Sequence, residues 1–334
     1  MKFSGGQRGA ALMIVLLVVT IATVLSVGIA KNQYRAIVKG SHQLDRLQAY
    51  FYARGGEEIA RQLLYQDFQD RPGQDDLSEE WAASDLRFEF ELGEVEVLIE
   101  DMQGRFNLND FVVEAGANSV LVQKLSLMTA QIGLDPSWLD DLKDFADVDA
   151  ETRPAGAEDY FYLGLDKPYR TSAQPLQDLS EIRLLRSMTK EGYDRLSAVM
   201  AVLPATATPL NINTAEPLVL QSIAPDLTLD QAQSLVETRL QNEGYASVEE
   251  FLQQPELAGM AIKPDGLGVQ SSFFRAKIRA RYGEQIVFLT SLAFRDAATG
   301  EITVYQRKNN ERFLIATAQQ QGDGDEVTET DGPR

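Results

Sequence analysis

The stretch "GAALMIVLLVVTIATVLSVGIA", from Gly9 to Ala30, decides how this chain is organised. It contains no charged residue, and as an α-helix rising about 1.5 Å per residue it would be roughly 30 Å long, the thickness of a bilayer's hydrocarbon core. The apolar region of a secretory signal peptide is shorter, and here the run continues through the place where a small-residue cleavage site should lie. We therefore predict a transmembrane helix over residues 10–30.

The charges that flank the apolar run predict its orientation. Lys2 and Arg8 precede the run, and no acidic residue occurs between Met1 and Lys31. By the positive-inside rule, the short leader lies in the cytoplasm and the rest of the chain lies across the membrane.

Composition excludes several classes of function. The chain has 334 residues and a formal net charge of -19, which disfavours binding to nucleic acid because phosphate backbones need clustered Lys and Arg. It has no cysteine, which excludes thiol catalysis and thiolate metal sites. Its single histidine, His42, excludes two-His zinc sites, and we expect it to be exposed and non-catalytic.

Hydrophobic periodicity outlines the elements after the membrane. Helical spacing predicts that the first helix runs to residue 68, with a disturbance near Gly55 and Gly56. Alternation in "RFEFEL" and "EVEVLIE" predicts a hairpin within residues 69–109, and similar alternation predicts strands in 274–315. The two strand groups are too small to be stable separately, so we expect one sheet interrupted by an insertion.

Residues 110–273 form that insertion, which we expect to be all-helical because its apolar segments recur at helical spacing between Pro and Gly loops. The polar, acidic tail 316–334 predicts disorder. The predicted fold is α+β: a long N-terminal transmembrane helix packed on a small antiparallel sheet, with a large helical insertion of helix-hairpin-helix or SAM-like type between strands.

The order of short basic leader, glycine, spanning helix and exported sheet resembles type IV pilins and the pseudopilins of the type II secretion system. The resemblance extends to the minor pseudopilin K family (general secretion pathway protein K), and it rests on the leader and helix together with four motifs. These are "DMQGRFNLND", "FADVDAETRPAGAEDYFY", "PYRTSAQPLQDLSEIRLL" and "LNINTAEPLVL".

The resemblance implies how the N-terminus is processed. In this group a prepilin peptidase cuts after a glycine, which corresponds to Gly9, so the leader is residues 1–9 and Ala10 becomes the methylated N-terminus. Most pilins carry a glutamate at the fifth mature position, where this chain has Ile14. A buried carboxylate is costly in lipid unless it is paired, so its absence suits a subunit that has no neighbour above it.

The acidic segment "DVDAETRPAGAE" is a candidate calcium site. Asp147, Asp149, Glu151 and Glu158 fall at positions 1, 3, 5 and 12 of an EF-hand-like loop, and Asp159 and Asp144 lie nearby. Thr152 stands where an EF-hand requires glycine and Pro154 occupies position 8, so we expect a geometry different from that of a true EF-hand. The family resemblance implies that Ca²⁺ binds in the helical insertion. A solvated acidic loop is the alternative.

A second motif, "LNINTAEPLVLQSIAPDLTLDQAQ", looks like a DNA-binding helix-hairpin-helix. Its turn carries Pro225, which lacks an amide hydrogen, and Asp226, which would repel phosphate, so we expect no binding to nucleic acid. Asn213 or Thr214 is the expected N-cap of the helix that follows. "FNLND" at 106–110 echoes "LNINT" at 210–214, which suggests two related helical subdomains.

The function implied by the resemblance is that of a non-enzymatic minor pseudopilin at the tip of a periplasmic pseudopilus. It would nucleate or cap the fibre and support the export of folded proteins across the outer membrane. The implied partners are other minor pseudopilins, the prepilin peptidase, an inner-membrane assembly platform and exoprotein substrates. The implied location is the inner membrane, with one span and a periplasmic bulk. Two alternatives remain: an anchored periplasmic hydrolase using Glu158 and Asp159, and a pilin-like DNA-uptake component.

Overall fold

The computed structural model describes residues 7–84, 86–113 and 120–313. Its dominant element is a single helix, α1 (Gln7–Asp70). Within the described chain this is the one helix that is long and apolar enough to cross a membrane, and its most apolar window is not buried by the rest of the protein. The large apolar side chains between Leu12 and Ile29 are exposed, which a lipid environment explains. The predicted acidic tail at 316–334 lies outside the described residues.

The predicted disturbance of α1 at Gly55 and Gly56 is wrong, because the helix continues through both residues. A Cβ built on Gly56 would lie 2.7 Å from both Val95 Cγ1 and Ile278 Cγ2, closer than van der Waals contact allows. Gly56 therefore lets the helix approach the sheet closely. The resulting packing offsets the poor helix propensity of glycine.

One five-stranded antiparallel sheet packs against the C-terminal half of α1. Val95, Val97, Ile278 and Leu289 from the sheet form a buried core with the small and branched side chains of the helix. The strands in chain order are β1 (Leu86–Phe90), β2 (Gly93–Asp101), β3 (Phe106–Asn107), β4 (Met200–Ala201), β5 (Leu210–Asn211), β6 (Leu267–Gly268), β7 (Phe273–Tyr282), β8 (Gln285–Arg295) and β9 (Ile302–Asn309).

The sheet joins the two ends of the sequence. Its order is β1-β2-β7-β8-β9, and β2 pairs with β7 from Gly93↔Tyr282 to Asp101↔Phe274. Strands more than 170 residues apart in sequence are thus neighbours, and the chain between them leaves and returns at one end of the sheet. The expectation of a single sheet interrupted by an insertion is confirmed.

The insertion has its own core and is not all-helical. Its hydrophobic cluster, which includes Leu125, Trp138, Ile182, Leu220 and Phe251, is separate from the core between α1 and the sheet. Two short parallel strand pairs, β3–β4 and β5–β6, accompany the helices, so the all-helical expectation is wrong in this respect. The helices are α2 (Leu108–Val113), α3 (Val120–Gln131), α4 (Ser137–Ala146), α5 (Asp159–Tyr162), α6 (Lys190–Val199), α7 (Pro217–Gln221), α8 (Leu229–Gln241) and α9 (Val248–Leu252), with 3-10 turns at Leu179–Leu184 and Pro255–Leu257.

The motif "FNLND" positions the first half of the insertion through two asparagines. The Asn107 side chain accepts a hydrogen bond from the Asn109 backbone N–H. The Asn109 side chain in turn binds both backbone groups of Leu176: its amide donates to the Leu176 carbonyl at 2.9 Å, and its oxygen accepts from the Leu176 N–H at 2.9 Å.

The motif "LNINT" repeats this arrangement in the second half. Asn211 accepts from the Asn213 N–H, and Asn213 binds the carbonyl and the N–H of Tyr245 at 3.0 and 2.8 Å. Both Asn213 and Thr214 are buried, and the Thr214 hydroxyl donates to Asp101. Their expected role as the N-cap of the following helix is wrong, because Glu216 precedes α7. The equivalent hydrogen bonds support two related subdomains.

Candidate functional site

The acidic loop between α4 and α5 brings three of the predicted calcium ligands together. One carboxylate oxygen from each of Asp147, Asp149 and Glu158 lies within 4.8 Å of the other two. Asp147 follows the last residue of α4, and Glu158 precedes the first residue of α5. The two helix ends therefore hold the outer members of the cluster at fixed positions.

Two oxygens of this cluster are buried without a hydrogen-bond partner: Oδ1 of Asp147 and Oε1 of Glu158. Glu158 is only 5% exposed. Burial, together with the charges of Asp144, Asp147 and Asp149, raises the pKa of Glu158 to about 7. A buried carboxylate oxygen without a partner is costly, so Oδ1 of Asp147 and Oε1 of Glu158 leave room for a cation between them.

The loop is shaped by Arg153 and Gly156. The Arg153 guanidinium donates to Asp144 at 2.6 Å and to Asp147 at 2.7 Å. A Cβ on Gly156 would lie 1.9 Å from Asp144 Oδ2, so only glycine lets the loop fold against that carboxylate. Both carboxylate oxygens of Asp144 therefore bind Arg153 and hold the loop. Asp147 binds Arg153 through one oxygen only, and its Oδ1 has no hydrogen-bond partner.

The structure does not bring Glu151 and Asp159 into the cluster. Glu151 is exposed, and its backbone N–H donates to Asp149. The Asp159 carboxylate accepts from Arg170 at 2.7 Å and from the Thr171 N–H at 2.9 Å. The structure therefore groups three of the five predicted ligands, and it leaves out Glu151 of the EF-hand-like spacing and the neighbouring Asp159.

The three clustered residues fit a hard cation. Ca²⁺ binds carboxylate oxygens at about 2.3–2.6 Å, so oxygens on one ion are at most about 5.2 Å apart, and the observed 4.8 Å limit satisfies this condition. The unpartnered oxygens of Asp147 and Glu158 supply ligands without breaking any hydrogen bond.

A second cluster of carboxylates, formed by Asp67, Asp75 and Glu79, differs from the first in that it contains a positively charged side chain. The guanidinium of Arg295, which is 1% exposed, bonds to Asp75 and lies 3.1 Å from Asp67. An internal cation therefore already occupies this cluster. Sequence reasoning missed it, because Arg295 is more than 200 residues from its partners and the segment "QDRPGQDD" reads only as a polar loop.

The surface of α1 carries the other candidate site. Beyond the apolar run, the helix keeps large apolar side chains exposed at Tyr34, Ile37, Leu44, Leu47 and Phe51, on surfaces that the sheet does not cover. Exposed apolar side chains that continue along one helix indicate a surface for packing against another protein.

The remaining predicted positions on α1 lie near its N-terminal end and at His42. Gly9 and Ala10 lie in the first turns of α1, and their side chains are not among those described. Ile14 is 61% exposed and apolar, as a lipid or helix contact requires. His42 is exposed and lies 3.4 Å from the Gln285 side chain, in agreement with the prediction of exposure.

Comparison with known proteins gives consistent matches. The family described as type II secretion system (T2SS), protein K matches through two models, over residues 104–205 and 210–270. The boundary between the models falls between the two asparagine motifs.

Among curated relatives, type II secretion system protein K of Klebsiella pneumoniae is 35% identical over 75% of this chain and 80% of the relative. The protein of the same name from Pseudomonas aeruginosa is 33% identical over 90% of this chain and 92% of the relative. A chain in the crystal structure of the GspK-GspI-GspJ complex from the enterotoxigenic Escherichia coli type 2 secretion system superposes with a TM-score of 0.73. That chain is matched over its whole length and 82% of this one at 24% identity, so this likeness is one of fold. On the sequence matches, the chain belongs to the type II secretion system protein K family.

Proposed function

We propose that this pseudopilin caps the tip of the secretion fibre, with its helical insertion blocking the addition of another subunit above it. The observation that carries the proposal is the position of the insertion relative to the membrane helix. The insertion leaves the sheet after β2, at the end of the sheet that lies beside the C-terminal end of α1.

Contacts along α1 identify the end of the sheet from which the insertion leaves. Gly93, where β2 begins, lies close to the Tyr52 side chain. At the other end of the sheet, Arg295 donates to the Leu64 carbonyl. Beyond the end of α1, the Arg71 guanidinium donates to the carbonyl of Glu243 in the insertion. The insertion therefore lies at the end of the molecule remote from the apolar run.

The exposed surface of α1 supports packing beside other pseudopilins. The exposed apolar side chains of α1 offer a helix-packing surface along its length, and Ile14 removes the charge that would need a partner in the subunit above. The fold relative crystallised in a complex with GspI and GspJ, which supports two other minor pseudopilins as the neighbours of this chain.

The test is a chain in which residues 103–272 are replaced by an Asn-Gly turn. Met102 and Phe273 are already hydrogen-bonded neighbours at 2.9 Å, so a two-residue turn can close β2 onto β7. We expect longer pseudopili when this chain replaces the natural one in cells that overproduce the major pseudopilin, measured by electron microscopy. An unchanged length distribution with a folded variant would contradict the cap.

A matched chimera separates bulk from specific contacts. In it, an unrelated folded helical domain of about the same size replaces residues 103–272. If bulk alone blocks addition, the chimera restores normal fibre length; if it does not, the insertion acts through specific contacts and the steric proposal is wrong.

We also propose that Asp147, Asp149 and Glu158 hold one structural Ca²⁺. The support is the pair of unpartnered buried oxygens and the separation of the three carboxylates. The ion would neutralise the cluster and fix the loop between α4 and α5. Sites of this kind in extracellular modules bind at roughly 10⁻⁴ to 10⁻³ M, so micromolar affinity is not needed.

Glu158→Gln tests this site, with Glu151→Gln as the control. The first change removes a buried charge from the cluster, and the second removes an exposed charge in the same loop. We expect Ca²⁺ to raise the Tm of the natural chain and of E151Q, and to leave that of E158Q unchanged. Equal responses from all three proteins would show that the cluster does not bind the ion.

Processing at the N-terminus is part of the proposal. We infer that a prepilin peptidase cuts after Gly9 at the cytoplasmic face, leaving Ala10 as a methylated terminus and the bulk of the chain in the periplasm. The intact mass of the membrane-extracted protein, produced with and without the peptidase, tests this directly.

The inferred role is non-catalytic. The curated relatives are named as secretion components. The hydrolase alternative required Glu158 and Asp159 to act together, but Glu158 joins Asp147 while Asp159 is bound by Arg170. The DNA-uptake alternative lacks support, since Pro225 and Asp226 occupy the turn between α7 and α8.

A further inference from the structure

A row of basic side chains follows the membrane-spanning part of α1. Lys31 comes directly after the apolar run, and Arg35 and Lys39 follow it at intervals of four residues. At about 100° per residue, these three side chains lie within an arc of about 80° on the helix surface. All three are exposed, and we call them the basic stripe. None of the functions discussed above uses it.

The basic stripe has no counter-ion within the described protein. Over residues 7–84, 86–113 and 120–313, no carboxylate forms an ion pair with any of its three members. The sequence from Lys31 to Gly56 contains a single acid, Asp45. Like charges four residues apart destabilise a helix, so an anion from outside the chain would relieve a repulsion that the fold leaves in place.

The basic stripe lies on the side of α1 that faces the sheet further along the helix. Lys31 and Ala49 are about five helical turns apart and therefore lie on the same side of α1, and Ala49 is buried in the core between α1 and the sheet. A cavity of about 410 Å³ lies between, lined by Arg35, Lys39 and the first residue of β8, Gln285. The stripe thus forms one wall of a recess between the apolar run and the nearest end of the sheet.

The height of the stripe above the apolar run matches a layer of lipid headgroups. Headgroups extend roughly 5–8 Å beyond the hydrocarbon core on each side of a bilayer. By the rise of an α-helix, Arg35 lies about 6 Å above Lys31, and Lys39 about 12 Å above it. Helical side chains lean toward the N-terminus of their helix, so the long Lys39 side chain can reach back toward the headgroups. Tyr34, which is 69% exposed, lies at the level where aromatic side chains are enriched in membrane proteins.

We propose that the basic stripe binds the phosphate of an anionic phospholipid, such as phosphatidylglycerol, in the leaflet that the sheet faces. A zwitterionic headgroup supplies its own ammonium, so the stripe selects headgroups with a net negative charge. The whole chain has a formal net charge of -19 and would otherwise be repelled by such a leaflet. Bound headgroups would hold the sheet-bearing side of α1 toward the membrane surface. The depth of the stripe favours a lipid over an acidic surface of another protein.

The experiment is native mass spectrometry of the full chain, released from detergent micelles that hold equal amounts of dioleoyl-phosphatidylglycerol and dioleoyl-phosphatidylcholine. The two lipids have the same acyl chains, so the ratio of bound lipids reports on the headgroup. We expect the chain to retain roughly 5-fold more phosphatidylglycerol, because each basic residue near an anionic headgroup adds to the attraction. Equal retention would overturn the proposal and leave an acidic protein partner as the occupant of the stripe.

A soluble phosphate ester separates the lipid from free phosphate. Glycerol 1-phosphate is added in excess over the lipids, and we expect it to leave the bound phosphatidylglycerol in place. Displacement of the lipid would mean that the stripe binds phosphate esters without regard to the bilayer, and the lipid assignment would be wrong.

Two triple variants locate the site. The first, K31Q/R35Q/K39Q, removes the basic stripe. The control, K167Q/K190Q/K263Q, removes the same charge from exposed lysines of the insertion. We expect the first variant to retain the two lipids equally and the control to keep the natural ratio. A preference that survives in the first variant would place the lipid elsewhere, and a preference that is lost in both would assign it to net charge; either result would contradict the proposal.

Discussion

Two adjacent glycines in α1 have opposite surroundings, although the sequence makes them look alike. Gly56 is pressed against Val95 and Ile278, whereas a Cβ on Gly55 would meet nothing within 4 Å. The same substitution at these positions should therefore change stability in opposite directions.

We expect Gly56→Ala to destabilise the chain by about 1–3 kcal/mol, because the methyl group forces α1 away from the sheet. Gly55→Ala should stabilise it by up to about 1 kcal/mol, because alanine has the higher helix propensity. Thermal unfolding of the two variants in nanodiscs measures the difference. Similar shifts of the same sign would contradict the packing role of Gly56.

The acidic loop shows what a spacing motif can and cannot predict. The positions of Asp147, Asp149 and Glu158 were predictable, because an EF-hand-like spacing selects acids that a short loop can bring together. That Glu151 lies outside the cluster could not be predicted, because it depends on the path of the loop. Arg153 and Gly156 set that path through their contacts with Asp144, which lies on α4.

At the scale of elements, the strands of the main sheet were predictable because each is long enough to show alternation. In the sequence of β2, for example, acidic and apolar residues alternate from Glu94 to Val97. The strands β3 to β6 are two residues long each, and no period can be recognised in two residues. The hydrogen bonds of Asn109 and Asn213 could not be predicted either, since these side chains bind backbone groups 67 and 32 residues away in sequence.

The helix α1 has two environments along one continuous element. Between Gly9 and Ala30 it carries no charged residue and exposes its large apolar side chains, whereas its C-terminal half buries small residues such as Ala49, Ala53 and Ala60 against the sheet. Small side chains permit close approach of helix and strands, and a close contact fixes the rotation of the helix about its axis. The exposed apolar surface of α1 therefore has a defined direction relative to the sheet.

At the scale of the whole molecule, one buried cluster joins the helix, the sheet and the insertion. Arg295 on β8 lies 3.1 Å from Asp67 of α1 and donates to the carbonyl of Ser271 at 2.9 Å. Asp75 accepts from the Ser271 N–H, and its carbonyl accepts from the Asn211 side chain. Buried hydrogen bonds therefore connect the insertion to α1 and to the sheet.

The same cluster predicts how the stability of the molecule depends on pH. Burial raises the pKa of Glu79 to about 8 and that of Asp67 to about 6, and the negative charge of Asp67 raises the pKa of Glu79 as well. The unfolded chain releases its carboxyl protons near pH 4.5 or below. Between pH 5 and 8 the folded chain therefore holds a proton that the unfolded chain has lost, so this pair makes stability fall as pH rises.

Glu79→Gln should remove this dependence, because the amide has nearly the same shape as the carboxyl group but cannot titrate. We expect the difference in unfolding free energy between E79Q and the natural chain to change by up to about 1.4 kcal/mol per pH unit between pH 5 and 8, in favour of E79Q as pH rises. Glu80→Gln, at the exposed neighbouring position, is the control and should follow the natural chain. The measurement is the free energy of unfolding of the three proteins as a function of pH, obtained from thermal unfolding. If it changes with pH in the same way for E79Q and the natural chain, Glu79 is ionised in the fold, and nearby arginines such as Arg71 neutralise it.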